Sequence, residues 1–291
     1  MQKLTVNLWM QGNAEEAGQF YAGALPQART EIESRYPTEG LLDFQQPFAG
    51  KALTVSLWVR ETKITLINAG GEFSPNPSNS IILCFNADDR ASLESTWAAL
   101  MEGGSALMPL DTYPFSARYG WVTDKYGVSW QLMESDEPVA VAESVIPSLM
   151  FGAEAQNRAA EAIEFYGQVL GAKLDSAFPY GQATESATAE ALMFAQFTLG
   201  DDCVAAMDSG VPQDFSFTPG VSLEWPCADQ AEIDRIWDAL SAVPEAEACG
   251  WLTDKFGVSW QIVPANMGEL MERPGAFEHM LSMKKLVIDE I

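Results

Sequence analysis

The chain has one histidine, His279, and four cysteines in 291 residues. A lone imidazole close to the C-terminus excludes a Ser-His or Cys-His dyad in a central pocket, and any site built from several histidines. Cys84, Cys203, Cys227 and Cys249 show no C-x-x-C spacing, so a thiolate metal knuckle is not expected and free thiols are. Basic residues are scarce: 16 Lys and Arg stand against 41 Asp and Glu, for a net charge of −25. A field of that sign repels phosphate backbones and anionic lipid, so neither nucleic acid nor membrane is expected as a partner. No apolar run approaches the ~20 residues that span a bilayer. The opening residues, Met1 to Thr5, enter a strand pattern directly, without the apolar segment of a signal peptide, and a cytoplasmic protein is expected. Gly70-Gly71 and Gly103-Gly104 lack the G-x-x-x-x-G-K pattern of a phosphate loop and read as breaks between elements.

What is present is globular: 47% apolar and 20% charged residues, in a length that suits two domains with their own cores. The chain also contains one stretch twice. Residues 120–132 read GWVTDKYGVSWQL and residues 250–262 read GWLTDKFGVSWQI, with conservative swaps at the three positions that differ. Chance does not produce that match, so the chain is two copies of one unit. Each stretch reads as a hairpin. Asp124 hydrogen-bonds its own turn and Gly127 takes the positive φ the connection needs. Val128, Trp130 and Leu132 then face one side of a strand, and Ser129, Gln131 and Met133 the other. Burying an indole of roughly 200 Å² is worth about 5 kcal/mol, which assigns Trp130 and Trp260 to the core. Asp124 beside Lys125 is a turn rather than an acid/base pair.

In copy one, Leu4, Val6, Leu8 and Met10 alternate with polar neighbours as a first strand. Asn13 is expected to cap a helix ending before Pro26, with Glu15 and Glu16 in its first turn. Strands follow near 30–35, 52–59 and 63–68. A second strand-helix series then runs from Ser80, with Asp88 or Asp89 as the cap and an aromatic loop, 113–119, before the hairpin. Copy two repeats the order but loses ten residues between Leu240 and Gly250, most of the loop that carries Tyr113 and Phe115 in copy one. The boundaries are 1–135 for domain one, 136–144 for an acidic linker, 145–265 for domain two and 266–291 for a tail. In the tail, Phe277, Met280 and Leu281 suggest a short helix. Leu286, Ile288 and Ile291 extend it or form an edge strand that packs on the body or on a partner subunit, the latter giving a homodimer.

The arrangement resembles the glyoxalase/bleomycin-resistance/extradiol-dioxygenase, or vicinal oxygen chelate, superfamily, and within it the PhnB-like branch. The residues that carry this are 8–17 (LWMQGNAEEA) with Phe20-Tyr21, then 68–73 (NAGGEF), 108–113 (MPLDTY) and the repeated hairpin, with 206–210 (AMDSG) in copy two. The resemblance implies an α+β fold of tandem glyoxalase-like domains, each of two βαβββ modules forming a curved mixed sheet around a cavity. It also implies ligand positions on the first and last strands of the modules. Copy one offers Asn7, Asn68 and Gln131 there, and copy two Ser148, Asp208 and Gln261. Amides and a single carboxylate do not balance a divalent cation, so no metal and no other cofactor is expected. The branch carries a methyltransferase-like label for a ubiquinone precursor, but no glycine-rich strand-to-helix turn for S-adenosylmethionine is present.

Asn7, Trp9, Asn68, Tyr119, Trp121 and Gln131 are expected to converge as amides among aromatics around a small-molecule pocket, or else to pack a barrel and satisfy one another. Tyr113, Phe115 and Tyr119 form either a lid or a plain cover; Trp251 and Gln261 are the counterparts in copy two. The expected function is metal-independent binding of a small organic ligand in the domain-one cavity. The alternatives are a metal-dependent lyase, isomerase or dioxygenase of the same superfamily, and a scaffold with vestigial cavities.

Overall fold

The computed structural model describes residues 3–41, 43–140 and 143–291. Met1 and Gln2 of the opening segment and Val141 and Ala142 of the linker lie outside the described residues. Four modules follow in order. The first is β1 (Thr5–Met10), α1 (Ala14–Ala24), β2 (Ala28–Arg35), β3 (Ala52–Val59) and β4 (Thr62–Asn68). The second is β5 (Asn79–Asn86), α2 (Arg90–Leu100), β6 (Ser105–Tyr113), β7 (Ser116–Thr123) and β8 (Ser129–Ser135). The third is β9 (Val145–Phe151), α3 (Ala159–Leu170), β10 (Lys173–Pro179), β11 (Leu192–Leu199) and β12 (Asp202–Asp208). The fourth has only β13 (Val221–Cys227), α4 (Gln230–Leu240), β14 (Trp251–Thr253) and β15 (Ser259–Pro264). Two short helices close the chain, α5 (Met267–Leu270) and α6 (Ala276–Ser282). The α+β class is as expected.

The pairing of modules is not. One sheet has seven strands in the order β14-β15-β13-β1-β4-β3-β2, and the other eight in the order β10-β11-β12-β9-β5-β8-β7-β6. Module one therefore shares a sheet with module four, and module two with module three. At the seams β1 runs antiparallel to β13, with Asn7 opposite Ser222, and β5 antiparallel to β9, with Ser80 opposite Ser148. The expectation that the two modules of one copy build one sheet is corrected: the seven-stranded sheet takes four strands from copy one and three from copy two, and the eight-stranded sheet takes four from each. The unpaired edges of the first strands explain this, because either edge can be closed by the matching strand of the other copy.

Alternation sets the two faces of each sheet. Val6, Leu8 and Met10 point inward with Leu57, Ile64 and Leu66, while Asn7 and Trp9 point away from the core. The inward faces of both sheets and all four module helices form one continuous apolar cluster, which includes fully buried Trp130 and Trp260 as expected. Each outer face nevertheless hides a row of polar side chains: Asn7, Ser56, Thr65, Ser222 and Gln261 on one sheet, Ser80, Gln131 and Ser148 on the other.

Two caps differ from the sequence reading. Asn13 precedes α1 but makes no side-chain bond to its first turn; instead Asn68 Oδ1 accepts from Ala14 N at 2.8 Å. Asp89 likewise makes no side-chain cap at α2. The ten-residue deletion costs module four the strand equivalent to β6, leaving a short turn at Pro244–Ala246. The tail fills the gap. Cys249 N donates to Met283 O and Gly250 N to Lys284 O, both at 2.8 Å, and Leu286 is fully buried there. α6 reaches across to module one, where Phe277 meets Tyr36 with ring centroids 6.2 Å apart. No helix among the described residues is long and apolar enough to cross a membrane.

Candidate functional site

The outer face of the eight-stranded sheet gathers Tyr113, Phe115, Tyr119, Trp121, Gln131 and Ser148. Tyr119 Oη donates to Gln131 Oε1 at 2.7 Å, and Gln131 Nε2 donates to Ser80 Oγ at 2.7 Å. The carboxamide is thus fixed in one orientation by a phenol and a hydroxyl, each on a neighbouring strand. Burial raises the Tyr119 phenol well above its ordinary pKa, so it stays a donor. Trp121 Nε1 donates to Ser129 Oγ at 2.7 Å, which locks the indole on the same face. The segment read as an aromatic loop is a hairpin between β6 and β7, with Tyr113 and Phe115 stacked at 5.6 Å across its end. Phe115 also meets Tyr119 edge-on at 5.0 Å and is 58% exposed. Ser148 Oγ, across the seam from Ser80, is buried without a partner. Beyond it the face turns apolar: Ile82, Ile146, Cys84 and Ala205 form a buried patch with Met133 and Phe194 against it. Burial pushes the Cys84 thiol up to about 12 and Cys203 to about 11, so neither is a thiolate at neutral pH.

The seven-stranded sheet carries Asn7, Trp9, Trp251 and Gln261. Gln261 Nε2 donates to Ser222 Oγ at 2.8 Å, repeating Gln131 and Ser80. Trp9 and Trp251, from different copies, meet edge-on at 6.4 Å, and Trp9 is held by a bond to Gly70 O at 2.8 Å. Asn7 Nδ2 donates to Glu224 Oε2 at 3.1 Å, while Asn7 Oδ1 and Trp251 Nε1 are buried without partners. Glu224 was not singled out in the sequence, nor were Ser80, Ser222, Glu33 and Lys63. The signal was there: in Val221-Ser222-Leu223-Glu224-Trp225, a period of two places Glu224 beside Ser222 on the face opposite the core.

Asn68 and Asp208 lie on neither outer face. Parity along β4 and β12 turns them toward the helices, where each bonds a helix N-terminus. Asn68 also donates to Ala52 O at 2.8 Å, and Asp208 accepts from Ala159 N at 3.1 Å and Leu192 N at 2.8 Å. The grouping expected for copy one is therefore split. Asn7 and Trp9 sit on one sheet, and Tyr119, Trp121 and Gln131 on the other. Asp124 is structural, as expected, accepting from Tyr21 Oη, Trp130 Nε1, Tyr126 N and Val128 N.

The donor set does not fit the metal that the superfamily commonly uses. The eight-stranded face offers Ser80, Ser148 and Gln131, and the seven-stranded face amides, hydroxyls, Glu224 and Glu33, the last already paired with Lys63. Among the described residues no three His, Cys, Asp or Glu side chains are grouped as ligands.

Sheets built from βαβββ modules joined through their first strands define the glyoxalase, or vicinal oxygen chelate, class, and the chain is a tandem, PhnB-like member of it. It belongs to the family described as 3-demethylubiquinone-9 3-methyltransferase, whose model matches residues 2–133 and again 143–263. Among solved structures, a PhnB protein from Bacillus cereus is 31% identical over 46% of this chain and 100% of its own, with a TM-score of 0.40. Protein PA1353 from Pseudomonas aeruginosa is 25% identical over 46% of this chain and 98% of its own, with a TM-score of 0.35. Glyoxalase I from Zea mays shares the fold across both copies, at 11% identity, covering 92% of this chain and 94% of its own with a TM-score of 0.54. No curated protein matches the chain.

Proposed function

We propose that the chain binds a small, uncharged aromatic molecule, without a metal, on the outer face of the eight-stranded sheet. The observation that carries this is Gln131, a buried carboxamide held by Tyr119 and Ser80 beneath the aromatic hairpin of Tyr113 and Phe115. An aromatic surface with a few oriented polar groups suits a flat organic ligand, with the rings supplying area and Ser148 Oγ a hydrogen-bonding group without a partner. Conversion of such a ligand would need an acid, a base or a metal on that face; the groups present there are amide, hydroxyl, phenol, indole and the thiols of Cys84 and Cys203, which burial keeps protonated. Sequestration or transport is the activity this chemistry supports.

The test is a thermal-shift screen of neutral aromatic metabolites with metal content measured on the same sample. Stabilising compounds are expected to act on metal-free protein and to lose their effect in Trp121→Ala and Gln131→Ala. Stabilisation that both variants retain, or that requires stoichiometric Fe, Mn, Ni or Zn, contradicts the reading.

A further inference from the structure

The two outer faces are built on one frame, yet their chemistry has diverged position by position. Registers at the two seams give the correspondence, since Asn7 lies opposite Ser222 as Ser148 lies opposite Ser80. Where the eight-stranded sheet has Ile82 and Ile146, the seven-stranded sheet has Glu224 and Thr5. Where the former has Ala205 and Cys203, the latter has Thr65 and Lys63. An apolar patch on one face is replaced by a polar, charged one on the other.

Within that polar face the hydrogen bonding is incomplete in a specific sense. Asn7 is 1% exposed and gives its Nδ2 to Glu224, which leaves Oδ1 as a buried acceptor without a donor. Glu224, unlike Asn7, keeps part of its surface exposed. The Lys63 charge acts on Glu224, but its ammonium donates to Glu33 Oε1 at 2.6 Å. Glu33 itself also accepts from Ser56 Oγ at 2.9 Å. The two acceptors beside each other, Asn7 Oδ1 and the Glu224 carboxylate, call for one group carrying several N–H donors and a positive charge. Trp9 and Trp251 stand alongside as aromatic surface for the rest of such a molecule.

We propose that the outer face of the seven-stranded sheet is a second site, for a protonated organic amine, with Glu224 and Asn7 receiving the ammonium and Trp9 and Trp251 flanking its carbon body. A quaternary ammonium fits less well, because it has no N–H to give Asn7 Oδ1. The strongly acidic surface raises the local concentration of any such cation. Burial raises the Glu224 pKa, opposed by the Asn7 hydrogen bond and by Lys63 and reinforced by Glu33; a bound ammonium lowers it again, so binding releases a proton where the carboxyl is partly protonated. The site is independent of the ligand proposed for the other sheet.

The test titrates the full chain with benzylammonium, benzyltrimethylammonium and benzyl alcohol, by calorimetry and thermal shift. Benzylammonium is expected to bind best, and Glu224→Gln and Asn7→Ser are each expected to weaken it by about tenfold or more. In the unaltered protein its affinity is expected to fall as pH drops through the raised Glu224 pKa, a readout that needs no variant to fold. The proposal is overturned if benzyl alcohol or the quaternary cation binds equally well, if Glu224→Gln leaves the affinity unchanged, or if benzylammonium does not bind. It is equally overturned if Mn²⁺ or Ca²⁺ stabilises the protein through Glu224 and the amine does not.

Discussion

Tyr21 Oη donates to Asp124 Oδ2 at 2.7 Å, joining the first helix of copy one to the hairpin that ends it, and Tyr166 joins Asp254 at 2.8 Å in copy two. Each carboxylate also takes a tryptophan N–H and two turn N–H groups. Burial raises both aspartate pKa values and these donors pull them back. Tyr21→Phe removes one donor from a buried carboxylate and is expected to cost about 1–3 kcal/mol by urea unfolding. Tyr166→Phe should cost a similar amount, with near-additivity in the double variant because the two sites share no partner. A neutral effect would mean the carboxylates do not join modules.

The tail stands in for a lost strand. Leu286→Ala is expected to destabilise by about 2–5 kcal/mol, since the side chain is fully buried and leaves a cavity. Amide exchange at Cys249 and Gly250, which donate to Met283 and Lys284, should accelerate in a chain truncated after Ser282. Truncation that leaves exchange unchanged and instead splits a dimer, seen by light scattering, would assign the tail to self-association.

Stability should depend on pH through Glu224. Its folded pKa is raised above the unfolded value of about 4.3, so its contribution is fully present below that value and is lost as pH rises through the folded pKa. The Tm of Glu224→Gln minus that of the unaltered protein is therefore expected to grow more positive as pH rises from about 4 toward neutrality. A difference that stays flat would show Glu224 to be solvated like a surface residue.

Copy one expressed alone, residues 1–140, has the free edges of β1 and β5 that β13 and β9 cover in the full chain. It is expected to associate through them as a dimer, visible by light scattering, because an uncovered sheet edge pairs readily. A stable monomer would contradict the crossed pairing.

The sequence disclosed the modules well, because strand and helix periods and the duplicated hairpin are local signals. Trp130, Trp260 and Asp124 were readable for the same reason: their burial and turn chemistry follow from neighbours within a few residues. The pairing of β1 with β13 was not, since both β1–β13 and β1–β5 satisfy the same alternation and only long-range packing chooses between them. That choice decides the sites. It separates Trp9 from Trp121, brings Trp9 to Trp251, and seats Glu224 beside Asn7 although they lie 217 positions apart. Family position makes Asn68 and Asp208 ligand candidates, and only strand parity shows them turned toward helix ends.

One duplicated frame carries two faces of opposite chemistry, and the indole N–H signals of a ¹H-¹⁵N spectrum read both at once. Benzyl alcohol is expected to shift the Trp121 signal and leave Trp9 and Trp251 in place, whereas benzylammonium is expected to shift Trp9 and Trp251 and spare Trp121. Both compounds moving the same set of indoles, or neither moving any of the three, would contradict it.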